Sequence, residues 1–321
     1  MGRRWLVVTL AALLVGAGSV GCPEPSGCTA QASLDAPSTT AAPPDAAVSP
    51  DAAVPADAAP ATTSPETPRP ASPRTAETPA PDLSAAVAQA VGAAAGVDLG
   101  LAVVDLDTGA AAGHNADTPF RTASLSKLLV AVDMLTSGEV LEEDLKRLSR
   151  ALSLSDDNAM NALWTLHDGM GAIGRVATQA GLAATQAPTD ASQWGDVEMS
   201  ANDVAKLYSY ILTKLPDDSR TFIVNALSAA ADTAADGFDQ AYGLLAPGID
   251  GYAKQGWMWY LPADFYLHTA GVVGGRYAIA VLSIQTGVGE QTAKNRLTAL
   301  TTTLLAGLLT QQGTAPHAYG E

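Results

Sequence analysis

The sequence predicts an α+β fold: an antiparallel sheet built from both chain ends of the folded domain, with a helical lobe inserted between them. Three observations carry this expectation. Strand patterns of alternating or continuous apolar residues occur only near the start and the end of the domain, and the middle reads as helices alone. The last strands are separated by short turns such as Gly274-Gly275, which suit hairpins rather than crossovers.

In order along the chain, the spacing predicts a helix over Leu83 to Ala95 and a strand over Val97 to Asp105. Asp107-Thr108-Gly109 turns the chain into a second short strand ending near His114. Ser124 opens a helix through Leu135, whose Leu128, Leu129, Val132 and Leu135 fall near helical spacing. The lobe then comprises helices over Glu142 to Leu152, Asn158 to Leu166, Ala172 to Ala180, Ala201 to Leu212 and Arg220 to Ala231. Ser200 and Asp203 form a capping pair before the fourth of these. Strands follow over Gly251 to Trp259, Phe265 to Val273 and Arg276 to Gln285, and a helix over Thr292 to Leu309 closes the domain. Strict alternation puts Trp257 and Trp259 on one face of their strand.

The domain so defined occupies residues 82–313, followed by a flexible tail over 314–321. Before it lie two segments of a different kind. Residues 1–21 carry Arg3 and Arg4, then an apolar run from Trp5 to about Val15, then small residues up to Gly21, the pattern of an export signal. The apolar run falls short of the roughly 20 residues that span a bilayer. Residues 22–81 are rich in Pro, Ala, Thr, Ser and Asp and include the near-repeats Pro44-Asp45-Ala46-Ala47-Val48 and Pro50-Asp51-Ala52-Ala53-Val54. Such a segment buries too little surface to offset its ordering entropy and reads as a disordered spacer.

The full chain has 321 residues and a net charge of -16, with no visible basic patch, so nucleic acid is not an expected partner. The four histidines, His114, His167, His268 and His317, lack the paired spacing of a metal site, and the 2 cysteines lie near the N-terminus. No metal and no cofactor is therefore expected. His268, on an apolar strand, reads as a satisfied structural histidine ahead of a cleft residue.

Chemistry is suggested by three short motifs in order. Ser124-Leu125-Ser126-Lys127 places a hydroxyl and an amine about one turn apart at a helix start, where the free backbone N–H groups disfavour protonation of the amine. Alone, this motif reads as an N-cap serine and a solvated first-turn lysine. Ser155-Asp156-Asp157-Asn158 opens another helix, with Ser155 available as its N-cap. Lys254-Gln255-Gly256-Trp257 lies on a predicted strand.

Together, and with the flanking Ala123, Leu128 and Tyr242-Gly243-Leu244, these elements resemble the S-x-x-K, S-D-N and K-T-G motifs of class A β-lactamases and penicillin-binding proteins. The resemblance covers about Leu83 to Leu309 and implies a β-lactamase-like fold. It implies that Ser124 attacks a carbonyl, Lys127 takes its proton, Ser155 relays a proton to the leaving group and Lys254 supplies positive potential. It further implies an oxyanion hole from the backbone N–H groups of Ser124 and Trp257. Asp157, Asn158, Gln255, Gly256 and Trp257 would line the substrate site. The implied partners are a cell-wall-derived peptide, a β-lactam or a small ester. Ser19-Val20-Gly21-Cys22 is similar to the lipobox of bacterial lipoproteins, with Ser19 in place of the usual Leu. Lipidation of Cys22 would then provide the only membrane contact, on the outer face, and cleavage without lipidation would give a secreted form. A Cys22–Cys28 disulfide is the alternative.

Departures from the family pattern matter as much. The second motif reads either Ser155-Asp156-Asp157 or, slipped by one, Asp156-Asp157-Asn158, so its asparagine is replaced or displaced. Gln255 stands where the family carries Thr or Ser. Between Leu182 and Ser200 no Glu-x-x-x-Asn pattern occurs, and Glu198 lies too late to position a deacylating water. These features give two expectations: a Ser-Lys hydrolase with weak or no β-lactam turnover, or a catalytically silent envelope lipoprotein that uses the fold for binding.

Overall fold

The computed structural model describes residues 82–260 and 263–310. The expected export signal, the spacer, Cys22, Cys28, the last residues of the expected domain and the tail lie outside the described residues. Among the described residues no helix is long and apolar enough to cross a membrane.

The chain opens with helix α1 (Leu83–Gly92), capped by the Asp82 carboxylate, which accepts from the backbone N–H groups of Ser84 and Ala85. Strands β1 (Asp98–Asp105) and β2 (Ala111–His114) form the first hairpin. The other three sheet strands come from the far end of the chain: β5 (Gly251–Tyr260), β6 (Asp264–Val273) and β7 (Tyr277–Thr286). Their order is β2-β1-β7-β6-β5, with β1 antiparallel to β7, so the chain ends are joined through the middle of one sheet. Gly274 and Gly275 both take positive φ in the β6–β7 turn, as a tight hairpin requires.

Two apolar layers sandwich this sheet. On one face α1 and the closing helix α8 (Glu290–Thr310) bury Leu83, Val87, Leu297, Leu300 and Leu304 against Leu101, Phe265 and Val281. Trp257 and Trp259 project to this same side, stacked on Phe238 and Phe265, as alternation requires. On the other face lies the helical lobe: α2 (Ser126–Thr136), α3 (Glu142–Ser153), α4 (Asp157–Leu166), α5 (Gly169–Ala180), α6 (Ala201–Lys214) and α7 (Asp217–Ser228). A sheet covered on both faces explains why its strands read as nearly continuous apolar runs.

The structure differs from the sequence reading at several local points. Ser124 lies in a short 3-10 turn, Ala123–Leu125, that runs directly into α2. Ser155 does not cap α4: Asp156 does, accepting from the N–H groups of Asn158 and Ala159. Helix α5 starts earlier than expected because Asp168, in the left-handed region, caps it through Gly171 N–H. Helix α7 begins at Asp217 rather than Arg220, and acidic side chains at its first turn suit the helix dipole. A small ribbon of β3 (Pro119–Arg121) and β4 (Glu198–Ser200) is too short to leave a period-two signal.

Ser200 caps α6 through Asp203 N–H as expected, but the Asp203 carboxylate does not return the bond. It is buried and instead accepts from Ala183 N–H, Ala184 N–H and the Thr185 hydroxyl, anchoring the start of the 182–200 loop. Asp203→Ala therefore strands two backbone donors. Urea denaturation should show a loss of about 2–3 kcal/mol, with Asp203→Asn in between.

Candidate active site

The site forms where the Ala123–Leu125 turn, the start of α4 and strand β5 meet. Gly256 permits the approach: a Cβ there would lie 2.7 Å from the Thr122 carbonyl and 3.3 Å from both Leu125 Cγ and His268 Cδ2. Two non-glycine residues beside the site hold positive φ, Ala123 at 46° and Ser155 at 51°. Such backbone costs on the order of 1–3 kcal/mol per residue and persists only where its surroundings enforce it. Here the Ser124 side chain meets Lys127, and the Ser155 side chain meets both Lys127 and Lys254.

A continuous polar chain links the motif residues. Lys127 Nζ lies 2.9 Å from Ser124 Oγ, 3.3 Å from Ser155 Oγ, 2.8 Å from the Ser155 carbonyl and 2.7 Å from Asp157 Oδ1. Lys254 Nζ donates to Ser155 Oγ at 2.8 Å and to the Gln255 carbonyl at 2.9 Å. Both lysines are fully buried, and Ser124 and Ser155 nearly so. Burial pushes the Lys127 amine below the usual lysine range, opposed by the charge and hydrogen bond of Asp157 and more weakly by Asp156 and Asp236. Burial holds Lys254 well below that range too; the Lys127 charge adds to the effect, and Asp157 and Asp236 oppose it. Lys127 is thus a buried amine beside a hydroxyl, not a solvated first-turn side chain.

These contacts settle the register of the second motif. Asp157, the third residue counting from Ser155, touches Lys127, and Asp156 turns away into its cap and a pair with Arg150. Asn158 is exposed, one residue further round α4, and gives its backbone N–H to Asp156. Of the two residues expected to line the substrate site here, Asp157 joins the polar chain and Asn158 does not.

The third motif needs a second correction. The Gln255 side chain points away from Lys254, to the opposite face of the strand, and its amide donates to the Gln240 and Tyr242 carbonyls inside the core. It cannot offer that amide to a ligand at Ser124. Trp257 shares that side of the strand, with its indole N–H on Asp236, yet its ring reaches round to 5.7 Å from Lys254 Nζ. Backbone direction tells the rest. Lys254 N–H and the Gly256 carbonyl share the Tyr208 and Tyr242 hydroxyls with their β6 partners, so alternation leaves the Gln255 and Trp257 backbone groups on the free edge beside Ser124. His268 supports this strand from below, its two ring nitrogens spent on the Arg121 carbonyl and Ser283 N–H. Burial lowers its pKa to about 4, and it stays neutral, a structural histidine.

Sequence reasoning missed Trp194, Asn161 and Asp236. The Trp194 ring lies 4.8 Å from Lys127 Nζ, held by a hydrogen bond from its indole N–H to Asn161 Oδ1. Asn161 is one turn after Asp157 on α4, a spacing that was available to find it. Glu198 sits on β4 opposite Arg121, so the residue of the 182–200 loop that faces the lysine is an indole and not a carboxylate.

Comparison with known proteins agrees with this fold. A family model described as "Beta-lactamase enzyme family" matches residues 82–147. The protein called "Putative lipoprotein LppW" of Mycobacterium tuberculosis (strain H37Rv) is 31% identical over 227 residues, covering 66% of this chain and 71% of that one; its Mycobacterium bovis counterpart matches equally. The chain belongs to the same family as LppW and has a β-lactamase-like fold. Solved β-lactamases share the fold at low identity. A Chitinophaga pinensis enzyme gives a TM-score of 0.57 at 18% identity, covering 68% of this chain and 97% of that one. A class A enzyme from Bacteroides cellulosilyticus gives 0.59 at 14%, covering 71% and 99%.

Within this superfamily fold, the contact at Gly256 is the tightest constraint on how β5 meets the Ser124 turn. Gly256→Ala should force the two apart and lower stability by about 1–3 kcal/mol, read as a fall in thermal midpoint.

Proposed function

We propose that this protein is an exported, envelope-tethered serine hydrolase that opens amide or ester bonds through an acyl-enzyme on Ser124, with weak or no turnover of β-lactams. The observation that carries the proposal is the 2.9 Å approach of the buried Lys127 amine to the Ser124 hydroxyl, continued through Ser155 to Lys254. In its neutral form Lys127 takes the Ser124 proton while Oγ bonds to the substrate carbonyl carbon. The resulting oxyanion is met by the backbone N–H groups of Ser124 and Trp257. When the tetrahedral intermediate collapses, the bond to the leaving nitrogen or oxygen breaks, and Ser155 delivers to it the proton that Lys127 holds. Lys254 favours this relay by donating a hydrogen bond to Ser155 Oγ, which orients the Ser155 hydroxyl between the two amines.

Water must then attack the acyl group. With Trp194 over Lys127, Glu198 committed to the β3–β4 ribbon, Asp196 paired with Arg121 and Asp190 turned onto Ser192, no carboxylate of that loop is poised to activate a water, so the acyl-enzyme should persist. Export and tethering rest on the N-terminal 21 residues and Cys22, and on the name of the relative, a lipoprotein. A silent binding module is the second reading, favoured by the Asp157 carboxylate that holds a proton on Lys127.

Intact-mass analysis after incubation with a penicillin and with an ester acylating probe separates the two. An adduct that forms, decays slowly and is absent in Ser124→Ala supports the hydrolase; no adduct from either reagent on folded protein supports the binding module. The pH dependence has a definite sign. Acylation needs neutral Lys127, so its rate should rise with pH through the lysine's pKa. Asp157 favours the charged amine, so Asp157→Asn should move that rise to lower pH, measured as the acylation rate from pH 5 to 9.

A further inference from the structure

Hydrogen-bond polarity beside the nucleophile is set by Asp157. Its Oδ1 is one hydrogen bond from Lys127, which is itself one from Ser124 Oγ, and 58% of the side chain is open to solvent. An ionised carboxylate has no hydrogen to give. A substrate carbonyl or carboxylate placed beside it finds only a like-polarity neighbour, whereas an ammonium, amide N–H or hydroxyl finds an acceptor. The positive groups nearby do not offset this at the surface. Lys127 and Lys254 are fully buried and bonded, and Arg121 and Arg150 on the flanking elements are engaged by Asp196 and Asp156.

One wall agrees with the floor: Trp194 presents an indole ring next to Lys127, while Trp257 is stacked on Phe238 across the strand. Indole faces attract cations. Gln255, the side chain that might have offered a donor to an anionic substrate, is withdrawn into the core.

We propose that Asp157 is a specificity-determining residue that selects amides or esters bearing an ammonium group beside the scissile carbonyl. This rests on the acyl-enzyme reading above. The step is the one already given: Oγ of Ser124 bonds to the carbonyl carbon, the bond to the leaving group breaks, and the leaving group departs with the relayed proton. Asp157 adds only the acceptor that seats the cation, and recognition weakens as salt screens the pair.

Three alanine p-nitrophenyl esters test it: one with the free ammonium, one N-acetylated and neutral, one N-succinylated and anionic. Acylation of Ser124 is followed by nitrophenolate release and intact mass, each rate divided by that ester's spontaneous hydrolysis. The ammonium ester should lead the neutral one by about tenfold, with the anionic ester slowest. Asp157→Asn should bring the three within a few-fold of one another. In the wild-type protein, raising the salt from 0.02 to about 1 M should shrink the preference, which keeps the proposal open to test if the variant misfolds. Equal or faster acylation by the neutral or anionic ester overturns the proposal and leaves the nucleophile standing, as does a preference that neither the variant nor salt alters. Failure of all three esters to acylate Ser124 removes the acyl-enzyme reading itself, and this proposal with it.

Discussion

Two lysine amines with no exposure to solvent, Lys127 and Lys254, meet at one serine hydroxyl, and the surrounding fold exists on terms that make this tolerable. A buried lysine is costly unless its donors are met, and here they are. Lys127 reaches Ser124, the Ser155 side chain and carbonyl, and Asp157; Lys254 reaches Ser155 and the Gln255 carbonyl. Asp157 bonds Lys127 alone, and the charges of Asp157 and Asp236 only partly balance the mutual repulsion of the two amines. Both amines are driven toward the neutral form, which is the form a base requires.

Holding that chain together is a problem of chain topology. Ser124 and Lys127 follow the first hairpin, Ser155 and Asp157 open a helix of the lobe, and Lys254 lies on a strand near the chain's end. They converge because β1 pairs with β7 in the centre of the sheet, which brings β5 to the edge against the Ser124 turn. Only a glycine at 256 allows that edge to come so close, and the left-handed backbone at Ala123 and Ser155 aims the two hydroxyls. Strain gathered at these two positions and buried polarity at the lysines mark the same place.

Much of this was legible in the sequence, for identifiable reasons. Strands buried on both faces and helices with one apolar stripe leave strong periodic signals, so the sheet from both ends and the inserted lobe could be read directly. The four residues of the polar chain were legible because their motifs are local. What escaped was set by non-local geometry. The three-residue ribbon β3–β4 has no periodic signature, and the side-chain direction of Gln255 depends on which face of β5 meets the lobe. Trp194 stands over Lys127 because a loop anchored by Asp203 and Asn161 carries it there, and no spacing within the loop encodes that.

The departures from the family pattern then form a coherent set rather than a scatter of losses. A carboxylate at 157 raises the proton affinity of an amine that burial has lowered, and on the proposed reading it also changes what a substrate must present beside the scissile bond. On the same reading, an indole in place of a loop carboxylate removes water activation and adds a surface that favours cations. Withdrawal of Gln255 removes a donor for an anionic group from the same cleft. Each change alone would weaken a β-lactamase. Under the proposals made above they all act in one direction, from a site that grips carboxylates and sheds its acyl group quickly toward one that favours a cation and sheds it slowly. Random decay of an unused site would be expected to disturb the Ser124–Lys127–Ser155–Lys254 chain as readily as its rim. That chain is intact, with every link at hydrogen-bond distance, and the alterations lie around it.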